Sequence, residues 1–186
     1  MDKSKLATQA IHDKTSIRTA IRQSFGSVVY TINEYSELEF FQPIVAGKWS
    51  PGEHVGHLIL STMAVTKGMT MPKEALEGTF GTKEDVESSF DELKDRYYRI
   101  LSKGVKAPGN FVYNKPEERG KNYLLSKFVN QMRILLDSLD EWNEKQLSHY
   151  VLPHPALGRL SIREMLFFTH FHTEHHRVQI VTDQTN

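Results

Sequence analysis

The chain has 186 residues, no cysteine, and 23 Lys plus Arg set against 23 Asp plus Glu. That length suits a single domain over 1–186 with a core that needs no staples, and the missing cysteines exclude disulfides and thiolate metal ligands and fit a reducing cytoplasm. Balanced charge argues against a nucleic-acid partner, and no apolar run reaches the roughly 20 residues of a membrane span.

The start, Met1-Asp2-Lys3-Ser4-Lys5, is polar and carries no apolar stretch of a signal peptide. Ile17, Ile21, Phe25, Val28, Ile32 and Tyr35 then recur at steps of three or four, one face of a first amphipathic helix. After a loop marked by Pro43 and Gly47, Ser50-Pro51-Gly52-Glu53 opens a second helix. Ser50 can cap it, Pro51 takes the first helical position, and Glu53 completes a capping box. Val55, Leu58, Ile59, Thr62, Val65 and Met69 form its apolar stripe. His57, Ser61, Ala64 and Gly68 form a neighbouring line, which turns His57 inward beside residues too small to fill the space around it. His54, one turn earlier, is expected at the bundle mouth or in solvent.

Pro72, Gly78 and Gly81 break the chain. The spacing of Val86, Phe90, Leu93, Tyr97 and Ile100 predicts a short accessory helix over about 84–103. Gly104 to Gly120 reads as a surface loop. Leu125, Phe128, Met132, Leu135 and Leu139 mark a third long helix, and Pro153, Pro155 and Gly158 make 140–160 an ordered connection.

The last helix opens with a second capping box, Ser161 and Glu164, and carries four histidines within seven residues. At 100° per residue, Met165, Phe168, His172, His176 and Gln179 share one face. Phe167, Phe171 and Val178 share the adjoining apolar face, with His175 between the two. Arg163, His170, Glu174 and Arg177 fall opposite, spaced for exposed ion pairs. His172 and His176 therefore point inward, while His170 and Glu174 point out.

Two imidazoles at i and i+4 can reach one divalent ion, and His57 is the inward candidate for a third ligand. Three neutral histidines with an open position could hold zinc, nickel or iron and activate water. Gln179 and His175 are candidates for supporting contacts behind the ligands. The alternative is that these are core histidines satisfied by polar partners. His12, His149 and His154 lie in loops or termini, and Trp49 and Trp142 read as packing residues.

Two blocks, Trp49-Ser50-Pro51-x-Glu53-x-x-x-His57-Leu58 and His154-Pro155-x-x-Gly158-x-Leu160-Ser161-x-x-Glu164-x5-His170-x-His172-x-x-His175-His176-x-x-Gln179-Ile180, resemble the DinB/YfiT-like superfamily. The resemblance is to the branch with a histidine-rich H-x-x-H-H-x-x-Q helix. It implies an all-α four-helix bundle, up-down-down-up, and often a homodimer. It also implies one divalent metal held by His57, His172 and His176. The activity implied is metal-dependent hydrolysis, or transfer of a low-molecular-weight thiol, on a small-molecule substrate. The alternative is a non-enzymatic metal- or ligand-binding bundle with a stress-related role.

Overall fold

Four long helices carry the core, and three of them start at a side-chain cap. The computed structural model describes residues 11–43 and 45–182; the polar start Met1–Lys5 lies outside them. Asp13 caps α1 (Lys14–Asn33) by accepting from the Ser16 amide at 2.8 Å. A one-turn helix, α2 (Glu37–Phe41), follows. In α3 (Pro51–Met69) the expected box is complete: the Ser50 amide donates to Glu53 at 2.7 Å and the Glu53 amide to Ser50 Oγ at 3.2 Å. Then come α4 (Lys73–Phe80), α5 (Phe90–Leu101) and α6 (Lys121–Asp140). After α7 (Glu144–His149), strands β1 (Val151–His154) and β2 (Gly158–Ser161) form an antiparallel hairpin that leads into α8 (Ile162–Thr182).

Contacts between the ends of the helices fix their directions. Tyr35 Oη donates to Ile180 O at 2.9 Å, and Arg163 Nη1 to His12 O at 2.7 Å, so α1 and α8 run parallel. Trp142 Nε1 donates to Met69 O at 3.2 Å, which puts the ends of α3 and α6 together. Arg18 Nη2 donates to Leu136 O at 3.1 Å, so α1 opposes α6. The order is up-down-down-up, as expected. The core fills the middle, with Phe25 and Phe128 stacked at 4.5 Å. Burying each such ring contributes roughly 1.5–3 kcal/mol.

The middle segment departs from the sequence-based reading. The accessory helix begins at Phe90 and not near 84, because Ser89 caps it; Val86 lies in the preceding loop, 94% exposed. Helix α4 spans Gly78, one of the glycines read as a break, and buries Leu76. The connection over 140–160 holds a helix and a hairpin; Pro153 and Gly158 sit within the strands themselves.

Arg163 is also misplaced by the helical wheel. It is buried, with Nη1 2.8 Å from Glu144 and Nε 3.2 Å from Glu87. The wheel counts only a helix's own faces, and here α7 and the loop before α5 cover the side called exposed. The Glu164 box forms as expected but does more than cap. Its buried carboxylate accepts from the Ser161 and Ser88 amides at 2.8 Å each and pairs with Lys83 at 3.0 Å. This anchors the 82–89 segment to the start of α8.

Candidate metal centre

His57 is placed by α3, and His172 and His176 by successive turns of the antiparallel α8. Each is only 6% exposed. His57 Nε2 lies 3.1 Å from His172 Nε2, and His176 Nε2 lies 3.0 Å from the same atom. All three ligand atoms fall within 4.8 Å of one another, and among the described residues no carboxylate joins the group.

The hydrogen bond behind His57 decides which nitrogen faces the cluster. Its Nδ1–H donates to Phe111 O at 2.8 Å. A neutral imidazole protonated at Nδ1 presents a lone pair at Nε2. A second lone pair directed at the same spot is unfavourable unless a proton or a cation lies between. One proton on His172 can serve one neighbour at a time, whereas a cation serves all three. Ligand nitrogens of a tetrahedral zinc-like centre lie roughly 3.3 Å apart, near the spacing observed here. The donor set therefore fits a divalent ion.

Electrostatics agree with neutral rings. Burial holds His172 and His176 well below the usual histidine range, and neighbouring imidazoles push the same way. Burial also lowers His57, opposed by its bond to Phe111.

Several contributors were not legible in advance. His54 is not in solvent: it is 4% exposed, with Nδ1 2.8 Å from His176 Nδ1. The i, i+3 spacing from His57 was the available signal, since it puts both rings on one face. Trp49, read as plain packing, lies over the cluster, stacked on His176 at 6.0 Å and tilted on His57 at 5.1 Å. Phe168 stacks on His172 at 4.6 Å and 20°. The loop read as crossing the surface instead delivers the Phe111 carbonyl. Gly56 makes room for it: a Cβ there would sit 2.4 Å from Tyr113.

The remaining predicted residues divide. His175 is half-buried, edge-on to Tyr97 and Tyr98 at 6.0 and 5.8 Å, and its ring lies 5.2 Å from His176. The Gln179 side chain makes no hydrogen bond among the described residues. His170 lies outside the cluster but is not free in solvent, because its Nδ1 donates to Ala20 O at 3.0 Å. Glu174 faces away and pairs with Arg177 at 2.9 Å. His154 is no loose loop residue: its ring meets Phe168 at 4.3 Å.

A family model described as the DinB superfamily matches residues 20–180. Among solved structures, YfiT from Bacillus subtilis, described as a probable metal-dependent hydrolase with an unusual four-helix bundle topology, is 13% identical. The match covers 100% of this chain and 91% of that one, with a TM-score of 0.60. TT2238, a four-helix bundle protein, is 12% identical over 91% of this chain and 98% of its own, with a TM-score of 0.57. The colibactin self-resistance protein ClbS, solved in complex with a dsDNA, is 14% identical over 94% of this chain and 96% of its own, at a TM-score of 0.56. No curated protein matches the sequence significantly.

Proposed function

The chain belongs to the DinB superfamily, and on that footing we propose that it is a divalent-metal-dependent enzyme, a hydrolase or small-thiol transferase, acting on a small molecule at His57, His172 and His176. The observation that carries this reading is the Phe111 carbonyl on His57 Nδ1, which commits the opposite nitrogen to the cluster. When bound, the ion would supply Lewis acidity and a means of activating water or a thiol at neutral pH. The chain's own groups do the rest. Phe111 and His54 orient ligand rings from behind, as outer partners of metal-bound histidines commonly do. Trp49 and Phe168 exclude water from two sides.

YfiT's description as a probable metal-dependent hydrolase supports the hydrolase branch, and with no carboxylate joining the ligand group among the described residues, water or thiol activation falls to the ion. The test is elemental analysis of purified protein, followed by ester, amide and thiol-transfer panels. About one ion per chain, lost in His172→Ala, with metal-dependent turnover in one panel, is the expected result. Stoichiometric metal without turnover would favour a binding protein, and no metal uptake would end the reading.

ClbS gives a second reading a specific footing, since a protein of this fold was solved with dsDNA. It weakens the expectation that nucleic acid is no partner. The balanced charge of this chain still speaks against the electrostatic footprint of DNA binding. Salt-dependent anisotropy changes of labelled duplex on adding protein would favour this reading. Among the described residues no helix is long and apolar enough to cross a membrane.

A further inference from the structure

One face of α1 carries polar groups that the fold leaves unused. Arg22, Gly26 and Tyr30 form one row at four-residue steps, and Gln23, Ser27 and Thr31 form the row beside it. Together with Arg177 of α8 they line one open cavity of about 410 Å³, a volume that suits a small molecule. None of the clustered histidines lines it.

Elsewhere on α1, Thr19 Oγ1 donates to Thr15 O at 3.0 Å and Ser24 Oγ to Ile21 O at 3.1 Å, the usual local outlet for a helical hydroxyl. The side chains of Gln23, Ser27, Tyr30 and Thr31 make no hydrogen bond among the described residues. Arg22 pairs with no carboxylate there, and Arg177 spends only Nε, on Glu174 at 2.9 Å, which leaves its two Nη groups open. Among the described residues no acidic side chain lines the cavity. A Cβ at Gly26 would meet nothing within 4 Å, so packing does not require this weak helix former. Its bare backbone keeps the cavity open between Arg22 and Tyr30.

We propose that this groove binds a nucleotide-like phosphate ester, its phosphate held by Arg22 and Arg177 and its flat base laid on Tyr30. A guanidinium offers two parallel N–H donors matched to two phosphate oxygens. Tyr30 is 72% exposed and meets no other ring among the described residues, so its face is available for stacking. Arg22 and Tyr30 stand eight residues apart on α1, roughly 12 Å, a span that a nucleotide bridges from phosphate to base. The row of Gln23, Ser27 and Thr31 serves the hydroxyls of the sugar. The groove does not depend on the metal centre.

The test follows backbone amide shifts of the isotope-labelled full chain as ADP, inorganic phosphate or adenosine is added, with sodium chloride at matched ionic strength as control. Saturable shifts over 22–31 and at Arg177 are expected, tightest for ADP. Arg22→Gln should weaken ADP binding about tenfold. Tyr30→Ala should weaken ADP and leave inorganic phosphate unchanged. Gly26→Leu fills the groove where the fold has space, so it should abolish both without lowering the thermal unfolding midpoint, and it serves where an arginine variant does not fold. A single-stranded oligonucleotide that displaces ADP at a lower phosphate concentration identifies nucleic acid as the source of the ester; ADP that resists displacement identifies the free nucleotide. Shifts that sodium chloride reproduces, shifts centred on His57, His172 and His176, or ADP affinity unchanged in Arg22→Gln and Gly26→Leu overturn the proposal. A concentration-dependent dimer dispersed by Gly26→Leu, with no ADP shift, also overturns it, because the groove then seats a second copy.

Discussion

His54 Nδ1 lies 2.8 Å from His176 Nδ1, so two imidazoles from antiparallel helices share one proton behind the cluster. With His176 Nε2 facing inward, its Nδ1–H donates to His54. Loss of such an outer partner typically costs about 10–100-fold in metal affinity. His54→Ala should weaken metal binding by that order, and His54→Asn, which keeps an acceptor, should recover part of it. Chelator competition titrations measure both, and equal affinity in His54→Ala would refute the orienting role.

Gly56→Ala tests the route by which the loop reaches His57. An alanine in a helix is worth about 1 kcal/mol over glycine. Here the new Cβ would lie 2.4 Å from Tyr113, and overpacking of that kind costs about 1–3 kcal/mol. Net stability should fall slightly, and metal affinity should fall more clearly as the Phe111 carbonyl is pushed off His57. Chemical denaturation and metal titration read the two effects separately.

The buried histidines make the metal-free chain sensitive to acid. His54, His57, His172 and His176 are each lowered in the fold, chiefly by burial, His54 to about 3. The unfolded chain binds protons near 6.5 that the fold refuses, so stability is complete above 6.5 and falls as pH drops below it. Each such proton can cost up to about 1.4 kcal/mol per pH unit. Urea midpoints at pH 8, 6 and 5 should decline in that order, and metal affinity should follow the same direction.

Lys83 pairs with Glu164, whose carboxylate is fully buried. Burial alone would raise Glu164, yet the Ser161 and Ser88 amides and Lys83 together hold it below its ordinary value. Removing one partner of a buried pair costs about 3–5 kcal/mol, less where amides still serve the survivor. Lys83→Met should therefore lower stability by about 2–3 kcal/mol and loosen residues 82–89, which hydrogen exchange can detect. Metal content should not change.

The four long helices and the inward set His57, His172 and His176 were readable because each depends on the period of one helix. His54, Arg163 and Trp49 were misread because their surroundings come from other segments. Phe111 contributes a carbonyl, which no side-chain pattern announces. Pro153 and Gly158 read as loop signals, yet the hairpin tolerates both at its β1 and β2 positions. The middle of the chain, read only as an accessory helix and a surface loop, packs near the cluster through Tyr97.

The parallel run of α1 and α8 has a practical side. Lys14 sits against Asp140 and Trp142, at the end of the bundle where α3 finishes, whereas His176 lies only six residues before Thr182 closes α8. A 19-residue helix spans roughly 28 Å, so the start of α1 and the end of α8 lie far apart. A polyhistidine purification handle joined close behind Thr182 would start near the natural imidazoles and compete for the ion being counted. The same handle fused ahead of α1 would sit at the remote end and leave the stoichiometry readable.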